Sequence, residues 1–141
     1  MKSLLAKYSA ILKKDDLYSW SVFILRLIVG LAMMLHGWGK IQSPLSWMGP
    51  EAPVPGVFQA LAAISEFGGG LAWILGLLTP LASLGMLFTM LVAATTHIQR
   101  GDAFVGMPPT YELALVYAGI AFFLLCSGPG KISADYKLFS R

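Results

Sequence analysis

Six ionisable side chains of this 141-residue sequence lie within or at the ends of long apolar stretches. They are Arg26, His36, Lys40, Glu66, His97 and Glu112. A charged group placed in hydrocarbon costs at least about 2.5–3.5 kcal/mol, so each of these residues is a candidate for a functional site. Imidazole and carboxylate groups bind and release protons. Proton transfer and hydrogen bonding to a polar ligand are therefore the chemistry to consider.

Arg26 and Glu66 have similar predicted depths. Counting the helical rise from Gly39 and from Gly56 places Arg26 about 20 Å and Glu66 about 15 Å below the outer membrane surface. These depths predict an Arg26–Glu66 ion pair between the first two helices. A buried pair needs further hydrogen bonds to offset its desolvation. Two interpretations stay open: the pair forms the floor of a site, or it only locks the two helices together.

The other four candidates, His36, Lys40, His97 and Glu112, share the outer end of the helices if helix directions alternate. This predicts a polar pocket that opens outward above the ion pair. A quinone headgroup suits such a pocket, because imidazole can donate to a carbonyl oxygen and a carboxylate can exchange the proton that accompanies reduction. There are two alternatives to this pocket. In one, each of the four side chains faces lipid headgroups, and in the other, His36 and His97 bind haem or a metal. Their spacing carries no metal signature, so no metal site is expected.

The composition requires a membrane environment. Hydrophobic residues make up 57% of the chain and charged residues 12%, with a mean hydropathy of +0.72. Soluble domains are about half apolar and a quarter charged. The net charge of +3 comes from basic residues that flank the apolar stretches, so no nucleic-acid partner is expected. The single cysteine, Cys126, excludes an intramolecular disulfide and a CxxC redox pair.

The apolar stretches predict an all-α integral membrane four-helix bundle. They are rich in Leu, Ala, Met and Gly without the alternation of a membrane barrel. Thr79-Pro80 predicts a tight break between antiparallel neighbours, and the proline-rich outer loop 41–56 predicts an ordered non-helical cap. Residues 1–16 predict a short amphipathic interfacial helix before a transmembrane domain at 17–141, with a frayed basic tail as the alternative. The four helices are predicted at 20–39, 57–78, 81–98 and 111–127.

The basic residues predict the orientation of the chain, because cytoplasmic loops are enriched in Lys and Arg. Four lie in the N-terminal segment and three in the C-terminal tail, whereas only Lys40 and Arg100 lie on the opposite side. Both termini are therefore expected in the cytoplasm. The seven basic residues are Lys2, Lys7, Lys13, Lys14, Lys131, Lys137 and Arg141.

Several short motifs follow one another in a specific order over residues 20–136. They are Leu25-Arg26-Leu27, His36-Gly37-x-Gly39-Lys40, Glu66-Phe67-Gly68-Gly69-Gly70, Leu75-Gly76-Leu77-Leu78-Thr79, Glu112-Leu113-Ala114-Leu115 and Gly128-Pro129-Gly130-Lys131-Ile132-Ser133. Their order and spacing resemble the DoxX family of small four-helix membrane proteins. The family pattern usually has Arg after the Gly-Leu-Leu-Thr motif, where this chain has Pro80.

The resemblance implies a bacterial inner-membrane protein related to the DoxD subunit of thiosulfate:quinone oxidoreductase. Some family members are linked to redox-stress complexes and distant relatives act as assembly factors. We therefore expect a redox-associated component that binds a quinone or a similar small molecule, has no intrinsic cofactor and receives electrons from a soluble partner or a bound substrate. If the chain is enzymatic, it would be a quinone-linked oxidoreductase subunit. A non-enzymatic scaffold or assembly factor and a proton or small-solute transporter are the alternatives, and a homo-oligomer is compatible with each.

Overall fold

The computed structural model describes residues 15–139, and all structural statements below concern these residues. The predicted amphipathic segment 1–16 falls outside them except for its last two residues, so it stays a prediction. The described residues form six α-helices and one π-helical turn, Ile64–Gly68, which joins α2 to α3. The helices are α1 (Asp15–Gln42), α2 (Gly56–Ala63), α3 (Gly69–Leu75), α4 (Thr79–Gln99), α5 (Glu112–Ser127) and α6 (Ala134–Phe139).

Three helical segments are long and apolar enough to cross a membrane: Asp16–Gln42, Gly56–Leu75 and Thr79–Gln99. Gly56–Leu75 contains α2, the π-helical turn and α3, and is called the second span below. The fourth predicted helix corresponds to α5, which is apolar but has 16 residues and is about 24 Å long. The predicted all-helical membrane bundle is confirmed for the described part of the chain.

The spans alternate in direction and define two ends of the bundle. The loop end contains segments 43–55 and 100–111, and the turn end contains the 76–78 turn and segment 128–139. Helix α1 packs against the second span, the second span against α4, and α4 against α5. The backbones of α1 and α5 hardly approach each other, and side chains such as Tyr18, which donates to the Ser127 carbonyl at 3.0 Å, make the contact between them.

Small and aromatic residues form the centre of the bundle. Trp73 is fully buried, and its Nε1 donates a hydrogen bond of 2.9 Å to Ser83 Oγ. Gly30 and Gly70 bring α1 and α3 into close contact, because a Cβ added at Gly30 would lie 2.7 Å from the Gly70 carbonyl oxygen. Such contacts between small residues are typical of membrane bundles. The large apolar residues on the outside, such as Ile28, face the lipid.

The turn end is closed by the C-terminal segment. Asp135 accepts hydrogen bonds from the backbone N–H groups of Leu78 (2.7 Å) and Thr79 (2.8 Å), and so caps α4. The turn before α4 includes Gly76 at φ +63 and Leu78 at φ +50. Pro80 lies in the first turn of α4, where its missing N–H leaves no hydrogen bond unmade. The predicted break at Thr79-Pro80 is therefore observed as a helix start.

The loop end carries the non-helical cap predicted from the prolines. Gln59, which is buried in α2, organises this cap with both ends of its side-chain amide. Its Oε1 accepts a bond of 3.0 Å from the Met48 N–H, and its Nε2 donates one of 2.8 Å to the Val54 carbonyl. Trp47 Nε1 donates to the Gln59 carbonyl at 2.9 Å, which holds the indole above the bundle.

Candidate functional site

Arg26 lies at the turn end, and the predicted Arg26–Glu66 ion pair is wrong. The fully buried guanidinium donates from Nη1 to the Pro129 carbonyl and from Nη2 to the Ile132 carbonyl, both at 2.8 Å. Helix α1 continues to Gln42, so Arg26 is about 24 Å below its loop end by helical rise. The irregular 128–133 segment leaves carbonyls without helical partners, and an arginine can satisfy two of them at once.

Glu66 pairs with Lys40 at the loop end. Lys40 Nζ donates to Glu66 Oε1 at 2.6 Å, and the ammonium also lies 4.6 Å from the centroid of the Trp47 ring. The Glu66 side chain is 5% exposed and that of Lys40 is 26% exposed. Glu66 Oε2 is buried and has no hydrogen-bond partner within residues 15–139. One oxygen of a buried carboxylate is therefore available to accept a hydrogen bond.

The π-helical turn and a glycine bring this pair together. Glu66 is the middle residue of the turn Ile64–Gly68, and single π-helical turns inside helices are frequent at functional sites. Gly37 of α1 contacts the turn directly, because a Cβ added there would lie 2.5 Å from the Phe67 backbone nitrogen. Lys40 follows Gly37 by one helical turn, which carries its side chain to Glu66. Only glycine at position 37 permits this approach of the two backbones.

His97 forms a second side-chain pair, with Asp102, at the end of α4. Its Nδ1 lies 2.6 Å from Asp102 Oδ2. The helix ends in a Schellman motif, in which the Asp102 N–H bonds to the His97 carbonyl and the Gly101 N–H to the Ile98 carbonyl. Gly101 takes φ +79, as this motif requires, and the chain folds back so that Asp102 meets the imidazole. Sequence reasoning missed Asp102, although Gly-Asp directly after a helix is a signal for this geometry.

Lys40, Glu66 and both histidines line one cavity of about 210 Å³ at the loop end. It lies between α1 and α5 and is floored by the π-helical turn and α4. The His36 and Tyr117 rings meet edge to face at its wall, with centroids 6.3 Å apart. The full lining is Met33, His36, Lys40, Glu66, Met90, His97, Thr110, Leu113, Ala114 and Tyr117.

The structure thus brings four of the six predicted site residues together and leaves two outside. Arg26 belongs to the opposite end, and Glu112 is exposed at the first residue of α5, outside the cavity lining. Thr110 and Tyr117 line the cavity but were not predicted, because a lone hydroxyl in an apolar or loop segment gives no distinctive signal. Cys126 is exposed on α5.

No group of three His, Cys, Asp or Glu side chains that could hold a metal ion occurs in the described part of the chain. Two pairs, Lys40–Glu66 and His97–Asp102, involve three of the polar residues that line the cavity, and the others are His36, Thr110 and Tyr117. Met33, Met90 and Leu113 supply apolar surface between them.

The DoxX family model matches residues 21–98, which is more than half of the chain. The chain belongs to the DoxX family. The matched range holds Arg26, His36, Lys40, Glu66 and His97, whereas Asp102 and Glu112 follow it. This DoxX chain is an integral membrane protein, as its apolar spans and its membrane-protein relatives show.

Three relatives cover most of this DoxX chain. The inner membrane protein YqjF of Escherichia coli strain K12 is 32% identical over 83% of this chain and 91% of its own length. An uncharacterized protein of Haemophilus influenzae is 30% identical over 83% and 90%. The uncharacterized membrane protein Rv3486 of Mycobacterium tuberculosis is 32% identical over 86% and 83%. No solved structure is significantly similar to the chain.

Proposed function

We propose that this DoxX protein binds the headgroup of a quinone, or of a similar small lipid-soluble molecule, in the cavity at its loop end. The supporting observation is the presence of two polar pairs, Lys40–Glu66 and His97–Asp102, at a cavity that Met33, Met90 and Leu113 also line. Ligand sites are concave, mostly apolar and supplied with a few placed polar groups. The cavity of about 210 Å³ is smaller than most drug-sized sites and suits a single ring.

The ligand would reach the cavity from the bilayer. Helices α1 and α5 contribute opposite walls, yet their backbones hardly approach each other. His36, at this seam, is exposed, and neighbouring Leu35 is 65% exposed on the lipid-facing surface. A ring could therefore enter between the two helices while an isoprenoid tail stays in the hydrocarbon.

The proposal places the protein in a redox system without a cofactor of its own. Electrons would come from a soluble partner protein or a bound substrate, and the chain could act as a homo-oligomer. The charge distribution favours a bacterial inner-membrane location with both termini in the cytoplasm and the cavity on the outer side. The inner-membrane designation of the E. coli relative supports this location.

Quinone binding to the purified protein in nanodiscs tests the proposal. Decylubiquinone and a short-chain menaquinone would be titrated against wild type, Glu66→Gln and His97→Ala. Both variants alter a hydrogen-bonding group that lines the cavity, and a hydrogen bond to a charged group contributes about 1.5–3 kcal/mol, so the Kd should change, in either direction, by roughly tenfold or more. Glu112→Gln is the matched control, because it makes the same chemical change on an exposed carboxylate outside the cavity and should leave the Kd unchanged.

Equal affinity in all four proteins, or no quinone binding by wild type, would overturn the proposal. A non-enzymatic scaffold is the second candidate, and one contact favours it: the Lys40–Glu66 pair joins α1 to the second span and could serve only to hold them together. The scaffold predicts no specific quinone binding and full retention of the fold when both residues are replaced by apolar ones. A transporter would instead move protons or solute across liposomes that contain the wild type.

A further inference from the structure

Two hydrogen-bonding groups in the cavity have roles that their own partners determine. The first is His97, whose Nδ1 lies 2.6 Å from a carboxylate oxygen of Asp102. An ionised carboxylate can only accept, so Nδ1 carries the proton. In the neutral ring the other nitrogen, Nε2, then has no proton and is an acceptor. Asp102 thus makes His97 an acceptor toward any ligand that meets Nε2.

The second group is the Glu66 carboxylate. Its Oε1 accepts from the Lys40 ammonium at 2.6 Å, and the carboxylate of such an ion pair has no proton to donate. Oε1 is used by Lys40, whereas Oε2 is buried without a partner among the described residues. The terminal torsion of a glutamate is broad, so a small rotation can turn Oε2 toward a ligand in the cavity. Leaving such an oxygen unsatisfied is costly, and a ligand donor would remove that cost.

The other polar groups of the lining do not discriminate between ligand donors and acceptors. The hydroxyls of Thr110 and Tyr117 rotate and can donate or accept. No hydrogen bond or ion pair within residues 15–139 determines the tautomer of His36. The Lys40 ammonium only donates, but a ligand hydroxyl accepts from it as well as a carbonyl does. The preference of the cavity therefore depends on His97 and Glu66.

We propose that the cavity selects the hydroxyl-bearing, reduced form of its ligand, a quinol or a related dihydroxy aromatic ring, over the quinone. A quinol offers two O–H donors to two acceptors, whereas a quinone sets its carbonyl oxygens against them. Asp102 is the positioning residue for this selectivity, since it acts on the ligand only through the His97 ring. This inference rests on the proposed function, because it assigns the redox state preferred by the same cavity.

Affinities for decylubiquinol and decylubiquinone, measured anaerobically in nanodiscs at a pH alkaline enough for neutral imidazole, test the selectivity. We expect the quinol to bind at least tenfold more tightly. Equal affinities, or tighter binding of the quinone, would overturn the inference and leave the proposed function standing. If neither ligand binds, the proposed function itself fails.

Asp102→Asn tests the positioning role with little change in shape. The asparagine amide can donate to Nδ1, which moves the ring proton to Nε2 and makes His97 a donor. We expect the quinol-to-quinone affinity ratio to fall at least tenfold, with quinone binding improved. Asp102→Ala removes the partner of His97 without supplying a donor. Its quinol-to-quinone affinity ratio should lie between those of wild type and Asp102→Asn. An unchanged ratio in folded Asp102→Asn would overturn the inference.

Histidine ¹⁵N NMR of the wild type provides a readout that needs no variant of Asp102. The chain has two histidines, so His36→Gln assigns the signals. Neutral His97 should carry its proton on Nδ1, and a proton on Nε2 would contradict the assignment even if Asp102→Asn fails to fold.

Discussion

At the residue scale, the buried charges of this DoxX protein are satisfied in two chemically different ways. Arg26 spreads its charge over two backbone carbonyls, at Pro129 and Ile132, and so ties α1 to the C-terminal segment. Glu66 pairs with a side-chain cation, Lys40, and its second oxygen has no hydrogen-bond partner among the described residues. Both Nη atoms of Arg26 are used by carbonyls, and its buried Nε has no hydrogen-bond partner among residues 15–139. Only the Glu66 carboxylate belongs to a residue that lines the loop-end cavity.

Arg26→Met should destabilise the protein strongly. It leaves the Pro129 and Ile132 carbonyls without their donor, at about 1–3 kcal/mol for each group that water cannot reach. The Tm of Arg26→Lys should lie between those of Arg26→Met and wild type, because an ammonium lacks the planar fork that reaches two acceptors. Thermal unfolding in detergent micelles measures both. A Tm of Arg26→Met equal to that of wild type would contradict the assigned role.

The Lys40–Glu66 pair should show strong coupling in a double-mutant cycle. Lys40→Met leaves a buried carboxylate without its cation. This costs about 3–5 kcal/mol in fully buried pairs and less here, because Lys40 is a quarter exposed. Lys40→Met/Glu66→Leu should recover most of the lost stability, since the orphaned charge is removed as well. If the double variant has no higher Tm than Lys40→Met in the same unfolding assay, the orphaned Glu66 carboxylate is not the cause of the lost stability.

Residue types at apolar positions were enough to predict Lys40, Glu66 and both histidines as neighbours, but not their partners. Helical rise gives the depth of a Cα atom and says nothing about the reach of a long side chain. The error at Arg26 arose in this way. Asp102 lies outside the apolar stretches, where a charged residue is common, so the sequence did not predict its pairing with His97.

At the scale of elements, the contact between α1 and the π-helical turn controls the geometry of the cavity. Gly37 touches the Phe67 backbone, whereas Gly39, two residues along the same helix, has nothing within 4 Å of an added Cβ. Alanine at position 37 would therefore clash with the π-helical turn, whereas alanine at position 39 would not.

Gly37→Ala should force α1 away from the π-helical turn and separate Lys40 from Glu66. Overpacking of this kind typically costs about 1–3 kcal/mol. Gly39→Ala should leave stability unchanged or raise it by up to about 1 kcal/mol, because alanine is the better helix former. Unfolding and quinone titration on the two variants provide the comparison. Equal stability and equal quinone affinity of the two variants would show that the close contact at Gly37 is not required for the geometry of the cavity.

The helices were predictable because long apolar runs and a proline mark their extent, and α4 begins at Thr79 beside the predicted break. The π-helical turn was not. It replaces a few hydrogen bonds within one continuous helix. Gly37 of α1 contacts this turn, and the sequence pattern of one helix does not contain that contact.

At the scale of the whole molecule, the charge distribution predicts one orientation in the membrane. With Cys126 replaced by Ser, a membrane-impermeant maleimide added to intact cells should label Met107→Cys at the loop end, where Met107 is 91% exposed. Lys137→Cys at the turn end should react only after the cells are lysed. Labelling of position 137 in intact cells, with position 107 protected, would reverse the assigned orientation and place the cavity toward the cytoplasm.

The short length of α5 has a consequence for the surrounding lipid. Its 16 residues span about 24 Å, against about 30 Å of hydrocarbon in a typical bilayer. Glu112, exposed at its first residue, requires the polar boundary to lie near that level. The mismatch favours shorter acyl chains beside α5 than beside α1. Membrane thickness therefore bears directly on the proposed entrance between these two helices.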